Sequence, residues 1–329
     1  MACIIHTNRH NDTVLSKLQK DLSKSIEIGN KKYGGGQLKT VYVYQLDESV
    51  ESRPCNIPFF YGLRLAKTNA DVRIERPERK ELATMGKRFV GTLRDEQTVS
   101  RNQALTLLTQ HKSCILSCYT GFGKTVTAIN MASKIKLPTL IAVPKKPLLA
   151  QWEQEIAKFI PTATVVVVDP SKIKSLPPQP ECDFCIINTC NLEKLVKHDP
   201  KFVKTFGFLI VDEAHLQMTE TMAENLLHVT PRYLLGITAT PYRDDGYHVL
   251  FDMFFGPEMV KIKLNKKHTV YKVKTGFCPD ESRYKKKKTL FHLPSRKSIG
   301  TPYWRSRPPI RKGTGSSWTL LRASRRAPF

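Results

Sequence analysis

From Leu93 to Val260, short apolar runs alternate with stretches of helical period. This alternation restricts the architecture more than any other feature of the chain. The strand candidates are Cys114–Cys118, Leu140–Val143, Val165–Val168, Phe184–Ile187, Phe208–Val211 and Leu234–Ile237. Between them lie the helix candidates Thr125–Lys136, Leu148–Phe159, Thr219–His228 and Gly246–Phe254. Strands that are short and continuously apolar are buried on both faces, and intervening helices supply the crossovers of a parallel sheet. The expected fold class is therefore α/β, with a parallel sheet covered on both sides. Ligands of such sheets bind beyond the carboxyl ends of the strands, so the chemistry is expected just after each strand.

The first strand candidate runs into Cys118-Tyr-Thr-Gly-Phe-Gly-Lys-Thr125, which then opens a helix. Strand, glycine-rich loop, Gly-Lys-Thr and helix in that order form a phosphate-binding loop. Backbone N–H groups of Cys118, Tyr119, Thr120, Gly121, Phe122 and Gly123, with the helix N-terminus, suit the phosphates of ATP. Gly121 and Gly123 permit the tight wrap. Lys124 is expected on the β- and γ-phosphates, and the Thr125 hydroxyl on Mg²⁺. The strict pattern begins with Gly, and here Cys118 stands in its place.

A later strand, Phe208–Val211, ends in Asp212-Glu-Ala-His215. Two carboxylates at the tip of a buried strand are costly without a cation. Asp212 is the expected Mg²⁺ partner, and Glu213 the residue that orients or deprotonates a water. An isolated Asp-Glu pair would equally suit an ordinary helix N-terminus. Beside a phosphate loop, the nucleotide reading is the stronger one.

Asp-Glu-Ala-His resembles motif II of the superfamily 2 DEAH-box helicases. Gly236-Ile-Thr-Ala-Thr-Pro241 resembles their motif III. The resemblance implies a RecA-like ATPase domain in which His215, Thr238 and Thr240 couple the phosphate state to nucleic acid. Leu93-Arg-Asp-Glu-Gln97 resembles the segment whose Gln reads adenine. Val143-Pro-Lys-Lys-Pro-Leu-Leu-Ala-Gln-Trp152 resembles motif Ia, which implies nucleic-acid contacts at Pro144, Gln151 and Trp152. Ile187-Asn-Thr-Cys-Asn-Leu192 resembles the next such motif and brings in Thr189. Gln151-Trp152 with Thr238-Ala-Thr-Pro-Tyr-Arg-Asp-Asp-Gly246 is similar to the XPB-like branch, which includes helicases of poxviruses and African swine fever virus. That branch carries an Arg-Glu-Asp triplet that supports unwinding. Here it reads Arg243-Asp244-Asp245, with Asp for the middle Glu. The resemblance covers about residues 93–281. It implies ATP, Mg²⁺, DNA or RNA, and a link to viral transcription machinery.

The net charge is +24, from 53 Lys+Arg against 29 Asp+Glu. From Ser282 onward there are 14 basic residues and no acid, so the remaining 39 basic and 29 acidic residues leave +10 before it. A basic balance suits a polyanionic partner, and a soluble basic protein without one is the blander alternative. Nothing resembles a membrane span or a secretory leader. Eight cysteines, several in core strands, point to a reducing compartment and so to the cytoplasm, with the virion a further location for a viral protein. Cys182-x-x-Cys185 with Cys190 lacks a second pair, which argues against a metal site.

The expected organisation is an N-terminal accessory domain over 1–92, the ATPase domain over 93–260, a linker over 261–283 and a basic tail over 284–329. Within the first region, Asn11–Ile28 has a weak helical pattern, Tyr33–Gly36 reads as a loop and Val41–Tyr44 as a strand. Asn56–Gly62 is a turn-bounded apolar segment. No second RecA-like domain or motif VI is found, so a truncated helicase is expected. The tail then reads either as the product of a frame change near Lys285–Lys288 or as a basic nucleic-acid-binding tail. Two other functions stay open. One is a nucleotide- and nucleic-acid-binding module with little hydrolysis; the other is the ATPase part of a complex whose partner completes the site.

Overall fold

The computed structural model describes residues 2–6, 12–28, 37–47, 54–69, 72, 74–75, 88–176, 182–241 and 247–264. All of them fall in one compact unit, Met1–Lys267. The expected loop Tyr33–Gly36, the triplet Arg243–Asp245, the tail and most of the linker lie outside the described residues.

The N-terminal part runs β1 (Ala2–His6), α1 (Asp12–Leu22), β2 (Ser23–Ile28), β3 (Gln37–Tyr42), β4 (Gln45–Leu46), β5 (Pro54–Pro58), α2 (Phe59–Thr68) and β6 (Ile74–Glu75). Its strands form an antiparallel sheet β4-β5-β1-β6 and a separate β2-β3 pair. The helix expected through Ile28 stops at Leu22. Ser25-Ile-Glu-Ile28 alternates polar and apolar residues, a strand period, and Ser23–Ile28 pairs residue for residue with Gln37–Tyr42.

The second part runs α3 (Asp95–His111), β7 (Ser113–Cys118), α4 (Lys124–Ile135), β8 (Thr139–Val143), α5 (Lys146–Phe159), β9 (Val165–Val167), β10 (Phe184–Asn188), α6 (Leu192–His198), β11 (Phe208–Val211), α7 (Ala214–Gln217), α8 (Glu220–Leu227), β12 (Tyr233–Thr238), α9 (His248–Phe255) and β13 (Met259–Ile262). Its strands form a seven-stranded sheet in the order β13-β7-β12-β11-β8-β10-β9. Every pairing in it is parallel. This is the parallel α/β sheet that the alternation of strands and helices predicts. Within it, β13 pairs with β7 as far as Ile262, past the domain boundary expected at residue 260.

Alternate residues of each central strand face opposite cores. Cys114, Leu116 and Cys118 of β7, with Phe208 and Ile210 of β11, join Ala128, Ile129, Ala132, Trp152 and Ile156 from α4 and α5. Ile115, Leu209, Val211 and Leu234 face the other way, towards α6, α8 and α9. That second core continues into the N-terminal sheet. Ala2 donates its N–H to the Val229 carbonyl at 2.7 Å, and Gln45 donates through Nε2 to the Glu224 carbonyl at 3.3 Å.

Because the strands are parallel, their carboxyl ends share one edge. The register keeps that edge level: Thr238 pairs with Ser117, Val211 with Ala142, and Asn188 with Val143. The segments after β7, β12, β11, β8 and β10 therefore stand side by side in that order.

Candidate nucleotide site and the acidic box

The loop between β7 and α4 turns on two left-handed residues, Gly121 at φ 85° and Gly123 at φ 88°. Gly123 caps α4, and no side chain occupies the cap. The first N–H groups of that helix thus face the loop, as an anion site requires. Gly123 is constrained twice, because a Cβ there would lie 2.4 Å from Nε2 of Gln97. Cys118 closes β7 with its side chain buried in the core. That placement explains how cysteine replaces the usual glycine: the side chain points away from the loop. Burial pushes its thiol up to about 12, so it is no nucleophile. Phe122 is likewise buried, and only its backbone serves the loop; its ring meets Tyr119 edge-on at 5.5 Å.

Lys124 folds back over the loop and donates from Nζ to the carbonyls of Cys118 at 3.0 Å and Tyr119 at 3.3 Å. Thr125 sits in the first turn of α4. The Gln97 amide is engaged on both ends. Its Oε1 accepts the Arg94 N–H at 2.9 Å, and its Nε2 donates to the Phe122 carbonyl at 2.8 Å. The Arg94 guanidinium donates to the same carbonyl. Gln97 therefore braces the loop from outside, a job that adenine reading alone did not imply.

The acidic box lies at the tip of β11, with β12 between it and β7. Asp212 is 8% exposed. Its Oδ2 accepts the indole N–H of Trp152 at 2.8 Å, and its Oδ1 accepts the Glu213 N–H at 2.9 Å. Burial raises the Asp212 carboxyl above its usual range; the Trp152 hydrogen bond and the Lys124 charge pull it back. Glu213 has φ 45°, a left-handed conformation that costs an ordinary residue about 1–2 kcal/mol. The turn brings its carboxylate within 3.4 Å of His215 Nδ1.

His215 also meets Thr238 of β12, with Nδ1 2.7 Å from Oγ1. The same Oγ1 accepts the Thr240 N–H at 3.0 Å. One ring nitrogen thus stands between a carboxylate and a hydroxyl. Which neighbour it bonds depends on whether Nδ1 carries its hydrogen. The structure brings His215, Thr238 and Thr240 together as the motif order suggested.

The residues expected at nucleic acid behave differently. Pro144 is half-buried where β8 ends, beside exposed Lys145 and Lys146, and Gln151 is exposed on α5. Trp152 is 1% exposed and bonds Asp212, so its ring faces inward, away from the surface where nucleic acid was expected. Thr189 faces inward too. It is fully buried, and its hydroxyl bonds Gln217 Oε1. Sequence reasoning missed Gln217 altogether. Its Nε2 donates to the carbonyls of Ala142 at 2.9 Å and Asp212 at 2.6 Å, which ties β8, β11 and the turn after β10 together. The only signal was an amide facing inward from a four-residue helix, too short to show a period. Cys182 and Cys185 are buried, and no group of three metal-binding side chains occurs among the described residues. No described helix is long and apolar enough to cross a membrane.

Residues 90–243 match the family described as the res subunit of type III restriction enzymes. A protein named as a helicase in Invertebrate iridescent virus 6 is 37% identical over 281 residues, which is 85% of this chain and 59% of that protein. The DNA 3′–5′ translocase XPB2 of Sulfurisphaera tokodaii is 32% identical over 165 residues, 50% of this chain and 34% of the relative. A protein of African swine fever virus named as an ATP-dependent RNA helicase is 30% identical over 141 residues, 43% of this chain and 27% of that protein. The chain thus spans about three-fifths of the first relative and about a third or less of the other two.

Proposed function

We propose that the chain is a member of the superfamily 2 helicases, near their viral and XPB-like members, and that its described residues form the nucleotide-binding half of an ATP-driven nucleic-acid motor. The observation that supports this most is the alignment of three motifs on one sheet edge. The phosphate loop follows β7, Thr238-Ala-Thr240 follows β12, and Asp212-Glu213 follows β11. Adjacent strand ends are where a nucleotide and the elements that sense it must meet.

The residues fit Mg·ATP. The oxygens that would hold the metal, the Asp212 carboxylate and the hydroxyl of Thr125 in the first turn of α4, are hard and suit Mg²⁺ rather than a softer metal. Each Asp212 oxygen spends one lone pair on a hydrogen bond and keeps another. When bound, Mg²⁺ would neutralise phosphate charge. The chain's own groups do the rest. Gly121 and Gly123 shape the loop, the start of α4 faces the phosphates, and Lys124 exchanges two carbonyls for phosphate oxygens. Glu213, partly exposed and left-handed, is placed to hold a water and take its proton. His215 then carries the change in Glu213's surroundings to Thr238 and so to the loop after β12, a two-position polar relay.

The nucleic-acid partner is proposed from the family and from the exposed Lys145 and Lys146 at the same edge. DNA and RNA are both compatible with it, and so is a role in viral transcription. The test of the site is Lys124→Ala, with Mg·ATP affinity read by titration calorimetry. Removing a phosphate's charge partner should weaken binding at least about tenfold. Equal affinities would remove Lys124 from the site and the reading with it.

A further inference from the structure

Motif order accounts for Lys124, Asp212 and Glu213, but not for Trp152. The indole sits on the inner face of α5, 1% exposed. Its neighbour Gln151 faces solvent. Trp152 is large enough to serve as plain core, and its ring does pack in the core shared by α4 and α5. Core packing alone would not aim Nε1 at a carboxylate. That nitrogen stands 2.8 Å from Asp212 Oδ2, across 60 residues of sequence.

Asp212 is gripped from three directions, two of them at the carboxylate. Trp152 holds Oδ2, the Glu213 N–H holds Oδ1, and Gln217 Nε2 holds the main-chain oxygen at 2.6 Å. Of these three donors, the Glu213 amide and Gln217 move with β11 and its turn. Trp152 alone comes from a distant element. With Oδ1 held by the Glu213 N–H, it supplies the second point that fixes the rotation of the carboxylate about χ2. A buried carboxylate with one oxygen unpaired would turn to find a donor, and Lys124 is a cation whose charge acts on it.

We propose that Trp152 is a positioning residue for the metal site: its indole N–H holds Asp212 in the orientation that accepts Mg²⁺. It touches neither metal nor nucleotide and acts only through Asp212. The inference rests on the nucleotide-site reading above. Outer-shell partners of this kind typically contribute about 10–100-fold in metal affinity. Because α5 begins beside exposed Lys145 and Lys146, the same helix joins the sheet edge to the carboxylate.

The test uses the full 329-residue chain and fluorescent methylanthraniloyl-ADP, titrated once with Mg²⁺ and once with chelator. The ratio of the two affinities isolates the contribution of the metal. Trp152→Phe keeps an aromatic ring, smaller than the indole, and deletes the N–H. It should reduce the ratio about 10–100-fold and leave the affinity in chelator unchanged. A merely structural loss would weaken both. In an Asp212→Asn background, Trp152→Phe should change the ratio no further. An unchanged ratio in the single variant, or equal losses in both media, overturns the inference. Should Trp152→Phe fold poorly, emission from the parent serves instead. With Trp304→Phe and Trp318→Phe, Trp152 is the sole indole of the three. Mg²⁺ added to the ADP-bound chain should shift its emission, and a silent indole overturns the inference equally. If the parent itself shows no Mg²⁺-dependent nucleotide binding, the site reading fails first.

Discussion

The phosphate loop and the acidic box stand on the same edge with one strand between them, and they are built by opposite means. The loop is a backbone structure. Its shape comes from two glycines at positive φ and an uncapped helix, while its side chains either leave it, as Cys118 and Phe122 do, or stay in solvent, as Thr120 does. The box is a side-chain structure. Asp212 is held by Trp152, His215 by Thr238, and the main chain behind Asp212 by Gln217. A backbone site needs particular dihedrals and tolerates varied side chains. A side-chain site needs particular partners brought from other elements. The two should fail differently when altered.

The largest expected effect separates chemistry from binding in the box. Glu213→Gln keeps the shape of the side chain and removes its capacity to take a proton. ATP turnover with nucleic acid present should fall about 10²–10⁴-fold relative to the parent. Nucleotide affinity should stay within about twofold, because binding belongs to the loop. Parallel loss of affinity and turnover would show that the box also shapes the loop, and the division between them would collapse.

A smaller effect tests the loop against itself. Gly121→Ala adds a Cβ that meets nothing within 4 Å, so only the dihedral is strained. Its cost should be about 1–2 kcal/mol. Gly123→Ala carries the same strain and drives a Cβ to 2.4 Å from Gln97 Nε2. Displacing Gln97 breaks its bond to the Phe122 carbonyl, which adds about 1 kcal/mol. Chemical denaturation should rank the parent above Gly121→Ala and Gly121→Ala above Gly123→Ala. Equal losses would mean that Gln97 braces nothing.

The same contrast decides what the sequence made legible. The parallel sheet was readable because buried strands such as Phe208–Val211 are continuous apolar runs. The loop was readable because its function lies in local spacing, Gly-Phe-Gly-Lys-Thr after a strand. His215 and Thr238 were readable because each follows a strand end and the ends are adjacent. Partners recruited across the fold left no local trace. Trp152 and Thr189 were assigned outward because motif order says where a segment lies, not which way a side chain points. Gln217 had no pattern at all. The strand β2 was hidden for a different reason: Val14, Leu18, Leu22 and Ile26 continue a near-helical spacing across a boundary that pairing with Gln37–Tyr42 sets. Helix α3 escaped because its buried residues, Ser100, Ala104 and Leu108, are interrupted by an exposed Val99 and make no apolar stripe.

The smallest effect lies away from the edge and shows whether these losses belong to the site or to the fold. His228 ends α8 where the N-terminal sheet meets it, with Gln45 Nε2 3.4 Å from its ring. Burial, then nearby positive charge, lowers its pKa below the ordinary 6.5. The folded chain therefore keeps His228 neutral while the unfolded chain takes up a proton. As pH falls through the unfolded value of 6.5, the unfolded state gains protons first and stability drops, until the folded group also titrates. One such group can contribute at most about 1.4 kcal/mol per pH unit. His228→Gln offers an amide that does not titrate in this window. It should flatten the loss of stability between about pH 7 and pH 5, measured as the denaturation midpoint in buffers of matched ionic strength. Nucleotide affinity at pH 7.5 should match the parent, since β12 and β11 stand between α8 and the loop. A variant that keeps the full acid sensitivity would move its source elsewhere in the fold.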